Sequence, residues 1–98
     1  MRNTMIRFKN MKAVRVGKGI KELRQRSNLS PRQLADKCGL TQSYLNRLEE
    51  GYELEVEFVT LENIARVLRV CERGKLTPEQ LVDYFMNVTK EDQQPILI

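Results

Sequence analysis

In the stretch TQSYLNRLEEG, residues 41 to 51, several polar side chains fall where they could act together. Wound as a helix at about 100° per residue, Gln42, Ser43, Asn46, Arg47 and Glu50 occupy one half of the wheel. Tyr44, Leu45, Leu48 and Glu49 occupy the other. The first half offers two amides, a hydroxyl and a guanidinium. These groups match the donors and acceptors on base edges in a major groove, where a guanidinium suits guanine and an amide suits adenine. Any solvated helix face is also polar, so the wheel alone leaves both readings open. Tyr44, on the buried half, is expected to pack in part with its hydroxyl reaching outward.

Other chemistries find less support. The chain has no histidine and two cysteines, Cys38 and Cys71, too few for an all-cysteine zinc site, and the usual mixed sites are excluded. The same absence removes Ser-His-Asp and Cys-His catalysis, and neither a Gly-rich phosphate loop nor a close carboxylate pair stands out. The expectation is a protein that is not an enzyme and uses no cofactor or metal, with both cysteines reduced and packed as small apolar residues.

Positioning residues 42 to 50 requires helices, and the helix signals are dense. In SNLSPRQLADKCG, Ser30 can accept from the N3 amide, Pro31 suits N1, and Gln33 can reach back to complete a capping box. Gly39 suits the left-handed position that ends the helix, giving a helix over 31–38. Thr41 opens the next helix and Gly51 closes it. The connection of Gly39, Leu40 and Thr41 has the length that joins the two helices of a helix-turn-helix. Thr77, Pro78 and Gln80 repeat the capping pattern ahead of a helix over 78–87. Thr60 is read as the cap of a helix over 61–69, in which Leu61, Ile64, Ala65 and Leu68 recur at helical spacing. Before them, Ile20 and Leu23 with Lys18, Lys21 and Arg26 give a basic amphipathic helix over 18–27.

Ninety-eight residues suit one domain, and 41% hydrophobic with 31% charged residues is an ordinary globular balance. No apolar run approaches the roughly 18 residues of a membrane span, and no signal peptide is recognisable, which places the protein in the cytoplasm. The net charge of +4 is unevenly spread. Residues 1–27 hold nine Lys/Arg and one acid, a net +8, whereas residues 52–98 hold five Lys/Arg and nine acids, a net −4. A basic N-terminal quarter can neutralise phosphates, or it can be a solvated tail.

With these elements placed, GKGIKELRQRSNLSPRQLADKCGLTQSYLNRLEEG and TLENIARVLRV resemble the phage-repressor and Cro type of helix-turn-helix, the XRE family of transcriptional regulators, over residues 17 to 70. The resemblance implies an all-α, five-helix, lambda-repressor-like DNA-binding domain. In it residues 42–50 enter the major groove, residues 31–38 cross the backbone, and a homodimer spans a palindromic operator. It places base reading on Gln42, Ser43, Asn46 and Arg47. Phosphate contacts fall on Ser30 to Arg32, on Thr41 and on the segment after Gly51. Arg24 and Glu49 match a pair that forms a largely buried salt bridge in some family members, bridging the first and third helices.

Three features depart from the family pattern. Pro31 replaces a glutamine that contacts phosphate, so Arg32 or free helix amides must substitute. Glu50 stands where a polar or basic residue is usual. The segment after Gly51 is acidic where the family is basic: YELEVEFV alternates Tyr52, Leu54, Val56 and Phe58 with Glu53, Glu55 and Glu57, a strand period. Near the N-terminus MIRFK alternates too, so residues 5–9 are expected to pair with 52–58, within one chain or across a dimer, with opposite charges facing. The alternative is an extended loop and a free arm that could lie along DNA. The C-terminal QQPILI ends in three apolar residues that either dock on a partner subunit with Tyr84 and Phe85 or are disordered.

The resulting division is a basic arm or strand over 1–16, a helix-turn-helix domain over 17–87 and a tail over 88–98. The expected function is a sequence-specific DNA-binding regulator, a repressor acting as a homodimer on double-stranded DNA. The alternative is a protein-interaction module on the same fold, such as an antitoxin with a toxin partner or a bridging factor. The acidic stretch favours that alternative; Gln42, Asn46, Arg47 and the basic N-terminal quarter favour DNA.

Overall fold

Five helices and one short antiparallel ribbon organise the described residues, in the order β1 (Met5–Arg7), α1 (Lys12–Arg26), α2 (Pro31–Cys38), α3 (Gln42–Glu50), β2 (Glu55–Glu57), α4 (Phe58–Val67) and α5 (Pro78–Asp92). The computed structural model describes residues 4–70 and 76–92; Cys71 and the QQPILI tail lie outside the described residues.

The central pair follows its local signals. Ser30 Oγ accepts from Gln33 N–H at 3.1 Å and Gln33 Oε1 accepts from Ser30 N–H at 2.8 Å, a complete capping box ahead of Pro31. Gly39, at φ 71°, ends α2 in the left-handed region where a Cβ would be strained. Two residues later Thr41 Oγ1 accepts from Tyr44 N–H at 3.1 Å and opens α3, which Gly51 closes at φ 85°. The Thr77 and Gln80 box likewise starts α5, with bonds of 2.9 and 3.1 Å, and that helix continues five residues past its expected end.

Two helix starts differ from expectation. α1 begins at Lys12, six residues before Lys18, because its buried stripe extends upstream through Ala13, Val16 and Gly17 to Gly19, Ile20 and Arg24. Gly17 and Gly19 lie within it as points of close approach. A Cβ on Gly17 would collide with the backbone carbonyls of Leu48 and Glu49, and one on Gly19 with that of Phe85. α4 begins at Phe58, and Thr60 is buried in its first turn instead of capping it. The ribbon sets that start: Phe58 N–H donates to the Thr4 carbonyl at 2.7 Å, so strand pairing satisfies one of the first-turn donors that a helix leaves without an internal partner.

The ribbon forms within one chain and pairs Met5 with Glu57, Ile6 with Val56 and Arg7 with Glu55. It is shorter than the alternation of residues 52–58 implies. Val56 is buried at 1% exposure, whereas Tyr52 and Leu54 are 72% and 60% exposed, because the chain is still leaving the Gly51 turn at those positions. Ile6, Phe8 and Val56 join a core built on Val16, Ile20, Leu34, Leu45, Leu48, Leu61, Ile64, Leu81 and Phe85. α1 packs chiefly against α5 and α3, and α2 against α3 and α4. The turn between α2 and α3 is thereby held against the rest of the core.

Candidate nucleic-acid interface

The exposed face of α3 is built by what its opposite face buries. Leu45 and Leu48 are almost fully buried and Glu49 is buried beside them, while Gln42, Ser43, Asn46, Arg47 and Glu50 are exposed. Tyr44 is half-buried at the boundary, packed against the core. Burial pushes its phenol pKa up, Glu53 and Glu57 push it further, and Arg47 opposes them. Thr41, Ser30 and Arg32 are exposed at the starts of α3 and α2.

Rotation of α3 about its axis is restrained by charge as well as by leucines. Arg24 on α1 donates from Nε to Glu49 Oε2 at 2.7 Å and from Nη2 to Oε1 at 3.1 Å, a bidentate pair whose side chains are 8% and 6% exposed. Its Nη1 donates to the Leu29 carbonyl at 2.9 Å, so the guanidinium also braces the turn ahead of α2. No buried side-chain polar atom among the described residues lacks a partner. One arginine therefore ties α1, the approach to α2 and the inner face of α3.

The acidic segment is engaged by arginines. Glu55 accepts from Arg7 across the ribbon, at 2.8 and 2.9 Å. Glu53 accepts from Arg47 Nε at 2.7 Å, and Arg47 Nη1 lies 3.4 Å from Ser43 Oγ with its guanidinium 5.9 Å from the Tyr44 ring centroid. Sequence reading missed the Arg47 to Glu53 contact. The helical wheel stops at Gly51, and only the left-handed turn there brings a residue six positions on back alongside Arg47. Arg7 opposite Glu55 was legible as charges facing across a ladder.

Cys38 is half-buried against the core, and burial raises its thiol pKa, with nearby Arg66 opposing. Among the described residues no cluster of acidic or cysteine side chains could hold a metal ion, and no helix is long and apolar enough to cross a membrane.

Comparison with known proteins gives the arrangement a family. No curated protein matches the chain. Among solved structures, the restriction-modification controller protein C.AhdI from Aeromonas hydrophila is similar, with a TM-score of 0.59 and 29% identity over 74% of this chain and 98% of that one. A helix-turn-helix family model matches residues 20–76, which takes in α2, the turn and α3. By that match, and by the fold it shares with the controller protein, the chain belongs to the XRE-type helix-turn-helix family.

Proposed function

We propose that this protein is a sequence-specific DNA-binding transcriptional regulator, a repressor that acts as a homodimer and reads the major groove with α3. One observation carries the reading: Gln42, Ser43, Asn46 and Arg47 stand together on the exposed face of a helix whose tilt is fixed by Leu45, Leu48 and the buried Arg24 to Glu49 pair. Base-edge recognition needs such groups on a rigid mount. Ser30, Arg32 and Thr41, exposed at the starts of α2 and α3, are suited to phosphate contacts. The controller role of C.AhdI supports a regulatory rather than an architectural use of DNA. In the proposed dimer, half-sites lie about one helical turn apart on a palindromic operator.

Selection from random duplex DNA at about 150 mM salt, with a salt titration of the retained pool, tests this. The expected result is an enriched palindrome and an affinity that falls steeply with salt. Arg47→Ala is expected to cost ~1–3 kcal/mol on the selected site and to relax preference at one base pair in each half-site. Absence of binding even at low salt would overturn the reading. It would favour a protein partner, such as a toxin, for which the exposed Tyr52 and Leu54 beside α3 offer an apolar surface.

A further inference from the structure

Arg47 is the strongest candidate for reading guanine, yet it is already engaged in the free protein. Its Nε donates to Glu53 Oε2 at 2.7 Å, and its plane lies by the Tyr44 ring. The side chain of Glu53 is 22% exposed against 51% for Arg47, so the carboxylate is the more enclosed member of the pair. Glu53 is also firmly mounted. On one side, Tyr52 N–H donates to the Arg47 carbonyl at 2.9 Å through the Gly51 turn; on the other, Phe8 N–H donates to the Leu54 carbonyl at 2.9 Å as the ribbon begins. The carboxylate thus sits between two anchored backbone positions.

We propose that Glu53 is a positioning residue that aims Arg47 at guanine and so sets specificity, an inference that rests on the DNA-reading assignment above. A guanidinium carries five N–H donors in one plane. A carboxylate on Nε occupies the inner edge and leaves the outer edge, formed by Nη1 and Nη2, open to the guanine O6 and N7 pair. The Ser43 hydroxyl, 3.4 Å from Nη1, is far enough to yield to a base. Fixing the side chain beforehand removes the cost of ordering it on binding. The negative charge of Glu53 meanwhile repels phosphates of every sequence alike. That repulsion lowers affinity for every duplex by the same factor and cancels in the ratio between sites, so the discrimination comes from the aim of Arg47 alone. The acidic residue next to the reading helix then has a function in DNA recognition.

Glu53→Ala and Glu53→Gln separate aim from charge, because glutamine keeps an acceptor and loses the charge. Affinities are measured for the selected site, for the same site with the guanine under Arg47 replaced, and for random duplex, with circular dichroism melts confirming that each variant folds. Both variants are expected to bind random duplex more tightly than the parent. Glu53→Ala is expected to lose on the order of tenfold in preference for that guanine, whereas Glu53→Gln retains it. If Glu53→Ala gains the same factor on all three duplexes, so that the preference is unchanged while Arg47→Ala abolishes it, DNA reading stands and positioning by Glu53 is overturned. If the parent protein enriches no sequence at all, both fall.

Discussion

Arg24 and Glu49 place two full charges where the core would otherwise be apolar, and the geometry shows what keeps them there. Each of the three guanidinium nitrogens donates to an acceptor, Nε and Nη2 to the carboxylate and Nη1 to the Leu29 carbonyl. Removing one partner strands the other. Arg24→Ala is expected to cost about 3 kcal/mol or more, read as a lowered midpoint of denaturant unfolding; an unchanged midpoint would refute it. Replacing both residues by alanine should cost less than twice that, because no charge is left behind. Much at this scale is legible in the sequence. Ser30, Gln33, Thr41, Gly39 and Gly51 declare their roles because caps and left-handed turns depend on residues within four positions. Glu53 does not, since its partner is set by how the chain turns after a helix ends.

At the level of elements, α3 and the helix before it were the most legible parts, and the first helix and the fourth the least. Glycine explains the first case. Gly17 and Gly19 sit inside α1 despite poor helix propensity, because Leu48, Glu49 and Phe85 bring their backbones too near for any side chain. That demand comes from packing partners some 30 to 66 positions away and leaves no local trace. Gly19→Ala should therefore destabilise the protein by ~2–3 kcal/mol despite raising helix propensity. A thermal melt at or above the parental value would show that α1 and α5 can move apart without loss. The start of α4 follows the same logic, since the Thr4 carbonyl, 54 positions earlier, takes the Phe58 N–H and lets the helix begin ahead of Thr60.

The whole molecule joins its two chemically unlike regions. The ribbon fastens the basic N-terminal segment to the acidic segment that leaves α3, and Ile6 and Phe8 carry that fastening into the core. Deleting residues 1–10 removes two buried apolar side chains, each contributing about 1.5–3 kcal/mol, and releases Glu55 from Arg7. The expected outcome is a clear loss of stability in urea unfolding; an unaltered transition would mean that β2 holds its place alone. Alternation of apolar and charged residues made this pairing legible, while its true length, three residues a side, depended on the Gly51 turn.

The packing of α1 against α5, with Gly19 under the Phe85 carbonyl, has a consequence during synthesis. A ribosome adds about 5–20 residues per second, so α1 waits for seconds before its chief partner emerges. During that interval α2 and α3 emerge and can form their turn while α5 is still to come. A chain released early would display α3 on an incomplete core, open to proteases. Only the arrival of α5 gives α1 its chief packing partner, so the support behind α3 is completed late in synthesis.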